Sequence, residues 1–250
     1  MGCNSSTPNS EPTASGSGAK GAGGSMKGRN TLPMVEFDYY EGFGRGEPLA
    51  QMFTYHGQKF KKNDQSFPGW DERKANGDGG EFGGGLPQAL FQDKGKKYRA
   101  AQFGAILRSF GIRFGYYNPR DWKSCRYIDP VVDTFADVLA AQSVFAFAQD
   151  DEGRNAGIEK YKTVATKFYK LIESNMKHHG GKYAAGNMIT IADFVIAGHM
   201  TGCSINKQSP LPFYGLSEQI MPSVPTYKAL QDTLMKDLPF LQEQRPPYPF

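Results

Sequence analysis

Cysteine and histidine are scarce in this chain of 250 residues, which holds three cysteines and four histidines. Cys3, Cys125 and Cys203 are odd in number and far apart, so they predict neither a disulfide framework nor a zinc knuckle. His178 and His179 adjoin two glycines, which indicates a helix end with favourably placed cations and not a metal site. We therefore expect a metal-free chain that folds by apolar packing in a reducing, cytoplasmic compartment.

Long apolar runs and a strong net charge are also missing. No apolar run approaches the ~18 residues that a membrane span needs. The 29 basic and 25 acidic residues leave a net charge of +4, and no stripe of Lys/Arg interleaved with aromatic residues indicates a nucleic-acid partner. The apolar share of 39% suits a folded protein with one large core or two smaller ones.

Residues 1–33 form a Gly/Ser-rich segment with almost no bulky apolar residue, so we expect this tail to be disordered. Its first six residues fit the pattern M-G-x-x-x-[ST], which predicts myristoylation of Gly2, and Cys3 could take a second acyl chain. Two acyl chains hold a membrane stably, whereas one does so only marginally. The tail would then tether the folded body to the cytoplasmic face of a membrane. The competing interpretation is a chance match on a flexible terminus.

Residues 34–115 alternate between strand and helix patterns. Strands are predicted at MVEFDYY and KFKKND, and LPQALFQDKGKKYRA predicts a hairpin that turns at residues 93–95. Helices are predicted at EPLAQMFTYHG, at QFGAILRSFG and, short and irregular, at WDERKANG. The resulting order, βαβαββα, is that of a thioredoxin-like domain. Because no C-x-x-C motif is present, we expect binding of a thiol-containing ligand and not disulfide exchange.

Residues 116–250 carry only helical patterns, at DPVVDTFADVLAAQSVFAFAQ and at residues 158–176. In ITIADF, Thr190 is placed to cap a helix whose third residue is Asp193, and Ile189 is placed to pack on Phe194. We assign this motif to folding and not to catalysis. The predicted fold class is therefore α+β, with a thioredoxin-like domain followed by an all-α domain.

Taken together, these features resemble the cytosolic glutathione transferases, and the sigma class in particular, over about residues 34 to 250. The resemblance rests on Tyr39 ahead of G-R-G-E, on Trp70 with Lys74, on FGGGLP with Pro87, on QFGAILR and ITIADF, and on the ending LPFLQEQRP. It implies a homodimer that uses glutathione as co-substrate. The implied reactions are conjugation, or isomerisation, of a small apolar electrophile, as in detoxification.

The glycine-rich stretch DYYEGFGRGEP can be interpreted in two ways, as a phosphate-binding loop or as a turn beside another ligand. Its spacing is G-x-G-x-G, not the G-x-G-x-x-G of dinucleotide loops, so we predict a turn that presents Tyr39 and Arg45. Adjacent tyrosines in a strand face opposite ways. The resemblance selects Tyr39 for the ligand and leaves Tyr40 in the core.

The resemblance implies that Tyr39 donates its hydroxyl proton to the glutathione sulfur, while Arg45 adds positive charge. Half-ionising a thiol of pKa ~8.5 at neutral pH takes about 2 kcal/mol. A hydrogen bond to a charged partner contributes ~1.5–3 kcal/mol. One tyrosine hydroxyl directed at the sulfur therefore supplies about the free energy that ionising the thiol requires.

The resemblance also implies the groups that hold glutathione. Trp70 and Lys74 would bind the glycyl carboxylate, and Gln102 the glutamyl end. Pro87 would be in the cis form and leave the backbone of Leu86 free to pair with glutathione. The alternatives are that Trp70 is a packing aromatic and that Lys74 lies on a solvated helix face.

Asp137 of one subunit would approach the glutamyl amine bound to the other, with Asp133 as the less favoured candidate. Both aspartates could equally belong to a solvated helix face. The electrophile would bind against the first helix of the second domain, around Phe110 to Trp122 and Phe135. Aromatic residues there imply an apolar partner.

Phe103 departs from the family pattern, in which a serine at this position binds the glutamyl carboxylate. Losing one hydrogen bond to a charged group costs ~1.5–3 kcal/mol, or one to two decades of affinity. Two hypotheses follow. An enzyme is favoured by the intact Tyr39, Arg45, Trp70, Lys74 and Gln102. Phe103 and the tail favour a catalytically weak scaffold or binding subunit tethered to a membrane.

Overall fold

The computed structural model describes residues 27–77 and 85–243. The strands are β1 Val35–Tyr40, β2 Phe60–Gln65, β3 Gln88–Asp93 and β4 Lys96–Ala101. The helices are α1 Glu47–His56, α2 Phe67–Ala75, α3 Phe103–Phe114, α4 Trp122–Ala146, α5 Asp151–His179, α6 Ile191–His199, α7 Phe213–Ile220 and α8 Pro225–Asp237. A π-helical turn, Met200–Ser204, continues α6, and short 3₁₀ turns lie at Met221–Ser223 and Pro239–Gln242.

The four strands form one mixed sheet in the order β2-β1-β3-β4. β1 runs parallel to β2 and antiparallel to β3, and β3 and β4 form the predicted hairpin. Val35 and Phe37 of β1 are fully buried, and the ring of Phe37 lies 6.1 Å from that of Phe53 on α1. The predicted βαβαββα order and the helical second domain are both confirmed.

The strand register brings distant parts of the sequence to one end of the sheet. The last residue of β1, Tyr40, pairs with Gln65 at the end of β2, which is followed by Ser66 and α2. Asp38 pairs with Gln88 at the start of β3, and Gln88 pairs with Ala101 at the end of β4. The residues that flank these strand ends therefore surround a common space.

Two helices begin earlier than the sequence indicates. α2 is a regular helix that begins at Phe67, because the hydroxyl of Ser66 accepts a 3.1 Å hydrogen bond from the N–H of Gly69. α4 begins at Trp122, where the carboxylate of Asp121 accepts the N–H of Ser124, and it continues through Pro130. Local capping thus decides where each helix starts.

The second domain packs around the long α4–α5 hairpin. One face of α5, which includes Tyr161, Phe168 and Ile172, is buried in the core. At the start of α6, the buried carboxylate of Asp193 accepts hydrogen bonds from the backbone N–H and the hydroxyl of Thr190 at 2.8 and 3.0 Å. The ITIADF motif therefore has the structural role that its spacing predicts.

Residues 1–26 of the predicted disordered tail, with the acylation candidates Gly2 and Cys3, and most of the glycine-rich loop before Leu86 fall outside the described ranges. Residues 27–33, which the prediction assigned to the tail, are ordered on the body: Leu32 is 5% exposed, and its N–H donates a 2.7 Å hydrogen bond to Oε1 of Gln58. Within the described ranges, no helix combines the length and the apolarity that crossing a bilayer requires.

Candidate functional site

Tyr39 lies at the end of β1 with its ring buried beneath the loop that leads into α1. The backbone N–H of Arg45 donates a 2.8 Å hydrogen bond to the tyrosine hydroxyl oxygen. Gly44 and Gly46 allow this packing, since a Cβ on Gly46 would lie 2.6 Å from Cδ1 of Tyr39, and one on Gly44 would collide with the hydroxyl. The glycines of the loop are therefore needed for close approach to a tyrosine, not to a phosphate.

The electrostatic setting of Tyr39 keeps its hydroxyl protonated. Burial raises the pKa of Tyr39 above its ordinary value, more than the Arg45 N–H and guanidinium lower it. The hydroxyl hydrogen has no acceptor among the described residues. The half-buried guanidinium of Arg45 likewise forms no ion pair within them. The pair thus offers one hydrogen-bond donor and one positive charge to an anionic ligand.

Leu86, Pro87 and Gln102 lie together beside this end of the sheet. The Leu86–Pro87 peptide bond is cis, as the resemblance implies, and Gln102 has a φ of +71°, unusual for a residue with a side chain. Gln102 is exposed, and its amide nitrogen lies so close to Gly85 that a Cβ there would be 3.2 Å away. The side chain of Gln102 therefore lies next to the cis bond, where both could contact one ligand.

Phe103 begins α3 and is buried, with its ring 5.6 Å from that of Phe135 on α4. Its side chain thus joins the core between the two domains. The backbone N–H of Phe103 is in the first turn of α3, where N–H groups have no partner within the helix. A phenyl ring at this position is accommodated by packing and supplies no hydroxyl.

Trp70 and Lys74 of α2 differ in their exposure. The side chain of Trp70 is 1% exposed, and the guanidinium of Arg73 lies 5.0 Å from its ring. Lys74 is on the exposed face of α2, where its ammonium pairs with Asp71 at 2.6 Å. Any contact of Trp70 with a ligand is limited to the edge of the indole, and Lys74 would have to leave Asp71.

The two aspartates proposed for a neighbouring subunit also differ. Arg108 of α3 holds Asp133 at 2.8 Å and Asp129 at 2.9 Å. Asp137, one turn further along α4, is exposed and has no ion pair among the described residues. Asp137 is therefore the aspartate available to a ligand.

The aromatic residues predicted for the electrophile do not form one surface. Phe110 packs in the core of the first domain, 4.9 Å from the ring of Phe53. Phe135 is buried between Phe103 and α5. Trp122 lies on the first turn of α4, far from Phe135 along the helix. Phe110 and Phe135 are therefore core residues, because α3 turns Phe110 toward Phe91 of the sheet.

A different aromatic cluster lies beside Tyr39, which sequence reasoning missed. The ring of Tyr40 is 5.8 Å from that of Tyr39 and stacks on Phe67 at 4.2 Å. Phe67 in turn meets Phe147, at the end of α4, at 5.8 Å. Phe67 and Phe147 are 51% and 56% exposed. If the start of α2 had been placed at the Ser66 cap, the sequence would have indicated Phe67 as a residue near Tyr40. No local sequence pattern indicates the contact of Phe67 with Phe147.

Behind the Tyr39 loop is a small cavity of about 10 Å³, lined by Gly44, Gln142, His199 and Cys203 among others. The hydroxyl of Tyr169 lies 2.8 Å from Nε2 of His199, and burial lowers the pKa of His199 to about 3. Burial also raises the pKa of Cys203 to about 12, so its thiol stays protonated. These groups form a neutral support beneath the loop and no metal centre: the described residues hold no group of three metal-ligating side chains.

Comparison with protein families finds a match to part of the second domain. Residues 136–236 match the family described as "Glutathione S-transferase, C-terminal domain". Among curated proteins, the chain is 25% identical over 166 residues to "Probable glutathione S-transferase 6" of Caenorhabditis elegans, covering 65% of this chain and 76% of that protein.

Solved structures with the same architecture extend over nearly the whole chain. Monomeric Na-GST-3, a glutathione S-transferase from Necator americanus, has a TM-score of 0.67 at 22% identity, covering 87% of this chain and 100% of that one. Prostaglandin synthase D of Nilaparvata lugens has a TM-score of 0.65 at 21% identity, covering 86% and 99%. The fold of this chain is the glutathione transferase fold.

Proposed function

We propose that this protein is a glutathione transferase of sigma-like type in which Tyr39 stabilises the glutathione thiolate. The observation that carries the proposal is the hydrogen bond from the Arg45 N–H to the Tyr39 hydroxyl. Because the hydroxyl oxygen already accepts a bond, its own hydrogen is directed away from the loop. The raised pKa of Tyr39 keeps that hydrogen in place at neutral pH. A thiolate would accept it.

The glutathione backbone would extend from Tyr39 across the end of the sheet. Leu86 would pair with it through main-chain groups, and Gln102 would bind the glutamyl end. Lys74 and the edge of Trp70 would approach the glycyl carboxylate, and Arg45 would add positive charge near the sulfur. In a homodimer, Asp137 of the partner would meet the glutamyl amine. Support for this arrangement comes from the shared position of the strand ends.

The electrophile would bind against the cluster of Tyr40, Phe67 and Phe147. These rings run without a break from Tyr39 to the end of α4, and two of them are half exposed. Flat apolar molecules gain both buried area and ring stacking at such a surface. The thiolate would attack an electrophilic carbon there, or open a peroxide ring in an isomerisation. The substitution would yield a thioether and release the leaving group as an anion. In the isomerisation the thiolate would bond to one peroxide oxygen as the O–O bond breaks, and it would leave again as the adjacent carbon loses a proton and becomes a carbonyl, which regenerates glutathione.

The test is a glutathione-dependent conjugation assay on the full chain with a nitro-activated aryl chloride and, separately, with an organic peroxide. We expect turnover that requires glutathione and that falls in Tyr39→Phe. Phe147→Ala should raise KM for the aryl substrate and leave KM for glutathione unchanged. Turnover that is identical in Tyr39→Phe would contradict the role given to Tyr39.

A second candidate function, a catalytically weak scaffold or binding subunit, is favoured by one observation. Phe103 is packed against Phe135 where a hydroxyl would serve the glutamyl carboxylate. If the first turn of α3 cannot bind that carboxylate, the protein would keep the fold without turnover. A folded protein that does not bind glutathione would favour this candidate over the enzyme.

Attachment to a membrane remains a proposal based on Gly2 and Cys3. An acylated tail would hold the transferase at the cytoplasmic face, close to apolar electrophiles that partition into lipid. Mass spectrometry of the protein from its own cells would detect the acyl groups. A free, unmodified N-terminus would remove this part of the proposal.

A further inference from the structure

One end of the helical domain, remote from Tyr39, carries an exposed apolar and cationic surface, which we call the basal surface. Trp122 and Met188 are 66% and 71% exposed, the two largest values among the bulky apolar side chains of the described residues. The basal surface consists of Arg29, Arg120, Trp122, Lys123, Arg126 and Met188, all of which are exposed.

The contacts of the surrounding segments bring these residues to one end. The second turn of α4 meets the last turn of α5, since the ring of Tyr127 is 5.2 Å from that of His179. The loop that carries Met188 returns to the same place, because the N–H of Ile191 bonds to the carbonyl of Tyr116 at 3.1 Å. The hydroxyl of Tyr116 also meets Nδ1 of His56, at 3.1 Å.

The chain that precedes the sheet leaves the body at this same end. His56 contacts the carbonyl of Arg29 through its Nε2, and the side-chain amide of Asn30 donates to the carbonyl of Arg113 at 3.2 Å. The ammonium of Lys27 is 4.3 Å from the centre of the Tyr55 ring. A further 26 residues precede Lys27 in the sequence. Arg29 of the basal surface therefore lies two residues after the first described residue, Lys27.

The charge of the basal surface is positive. Arg120, Lys123 and Arg126 surround Trp122 within seven residues, and Arg29 adds a fourth cation. The acid among them, Asp121, caps α4 and accepts hydrogen bonds from the N–H and the hydroxyl of Ser124. Arg126 lies over its neighbour, with its guanidinium 4.6 Å from the Tyr127 ring.

We propose that the basal surface binds an anionic lipid bilayer, with Trp122 and Met188 entering the headgroup region. Tryptophan favours this region because its ring is apolar and its N–H is polar. Each Lys or Arg near an anionic membrane adds attraction that salt weakens. Trp122 and Met188 are apolar and exposed, and three cations lie within four residues of Trp122, so the basal surface has both properties. A protein partner would require a larger apolar area than two side chains provide.

This placement keeps the Tyr39 site clear of the lipid. Gly44 of the Tyr39 loop lines a cavity with Leu139 of α4, which is 17 residues beyond Trp122 (139 − 122). At about 1.5 Å per residue, roughly 25 Å of helix separates the two. The surface therefore orients the body, with the site facing the cytoplasm. The proposed membrane binding depends neither on acylation nor on transferase activity.

The experiment uses the unacylated full chain and vesicles of phosphatidylcholine with and without phosphatidylserine. The chain has two tryptophans, of which Trp70 is 1% exposed and Trp122 is 66% exposed. A blue shift of tryptophan emission on adding vesicles therefore reports on Trp122. We expect the shift and co-sedimentation with phosphatidylserine vesicles only, and a loss of both at high salt.

Two variants and a matched control locate the contact. Trp122→Phe should abolish the emission shift, and Arg120→Glu with Lys123→Glu should lower vesicle partitioning by at least about thirtyfold. Lys160→Glu with Lys167→Glu makes the same charge change at exposed positions in the middle of α5 and should leave partitioning within about threefold.

Three results would overturn the proposal. The first is no partitioning into phosphatidylserine vesicles at low salt. The second is equal loss of partitioning in the basal and control charge reversals, which would mean that only net charge matters. The third is a change from dimer to monomer in Trp122→Ala by sedimentation velocity, which would make the basal surface a subunit interface. None of these depends on glutathione, so each is distinguishable from failure of the proposed enzyme.

Discussion

The backbone N–H of Arg45 donates a 2.8 Å hydrogen bond to the hydroxyl oxygen of Tyr39. This bond fixes the direction in which the tyrosine can donate its own hydrogen. It also explains the glycines on either side of Arg45, because side chains there would occupy the space of the tyrosine ring. The loop after β1 is thus built around the hydroxyl of Tyr39.

Tyr39→Phe should lower the rate of conjugation by about 10- to 150-fold, since a hydrogen bond to a charged sulfur contributes ~1.5–3 kcal/mol. The affinity for glutathione should change much less, because the remaining contacts with the peptide are unaltered. The measurements are kcat for an aryl chloride and the glutathione Kd. Tyr98→Phe, at an exposed position on β4, is the matched control and should stay near the wild-type rate. Equal losses of rate and affinity in Tyr39→Phe would remove Tyr39 from the thiolate role.

Gly46→Ala tests the close approach of the loop. The φ of Gly46 is −78°, which alanine adopts freely, so the effect of the substitution is steric. Its Cβ would lie 2.6 Å from Cδ1 of Tyr39, and displacing a catalytic group by about 1 Å costs about a hundredfold in rate. Gly215→Ala, in open space on α7, is the control and should keep full activity. A fully active Gly46→Ala would show that the tyrosine position is not critical.

Phe103→Ser should change stability and affinity in opposite directions. Removing a buried phenyl ring costs ~3–5 kcal/mol of unfolding free energy. The new hydroxyl should tighten glutathione binding by about one to two decades. Phe103→Ala makes the same cavity without the hydroxyl, so it should lose stability and gain no affinity. If both variants gain affinity equally, the phenyl ring obstructs glutathione and a missing hydrogen bond is not the cause.

His199 should make the fold sensitive to acid. Burial lowers its folded pKa to about 3 from an ordinary 6.5, so below pH 6.5 the unfolded chain takes up a proton that the folded chain does not. Stability is therefore lost as the pH falls, by about 2 kcal/mol between pH 7 and pH 5. Urea unfolding of wild type and His199→Gln at both pH values measures this. The variant should lack that loss.

A second buried group acts in the opposite direction. Burial raises the pKa of Asp193 to about 6, so its protonation in the folded state adds stability as the pH falls from about 6 toward 3.8. The contribution of Asp193 is common to wild type and His199→Gln, and it cancels in the difference between them. An identical pH dependence of the two proteins would contradict the neutral, buried state of His199.

Local rules predicted much of the fold. The alternation in β1, the hairpin between β3 and β4 and the cap at Thr190 each depend on a few neighbouring residues, and all three were predicted. The start of α2 was placed late because Pro68 and Gly69 are poor helix formers and the Ser66 cap was overlooked. Capping outweighs propensity in so short a helix.

The candidate site was likewise predicted only in part from the sequence. Tyr39 and Arg45 were indicated by one loop and a family resemblance. The contact of Phe67 with Phe147 joins residues 80 positions apart (147 − 67) in different domains. Phe110 was assigned to the substrate although α3 turns it toward Phe53. Such contacts depend on how the two domains pack, which no local pattern records.

The most direct test of the central claim is a calorimetric titration of glutathione into the full chain. The account predicts binding with a Kd in the micromolar to low-millimolar range, weakened by the phenyl ring of Phe103 but not abolished. A folded protein that releases no heat at several millimolar glutathione would contradict the account. The site would then be closed, and the tethered scaffold would replace the enzyme as the function of this fold.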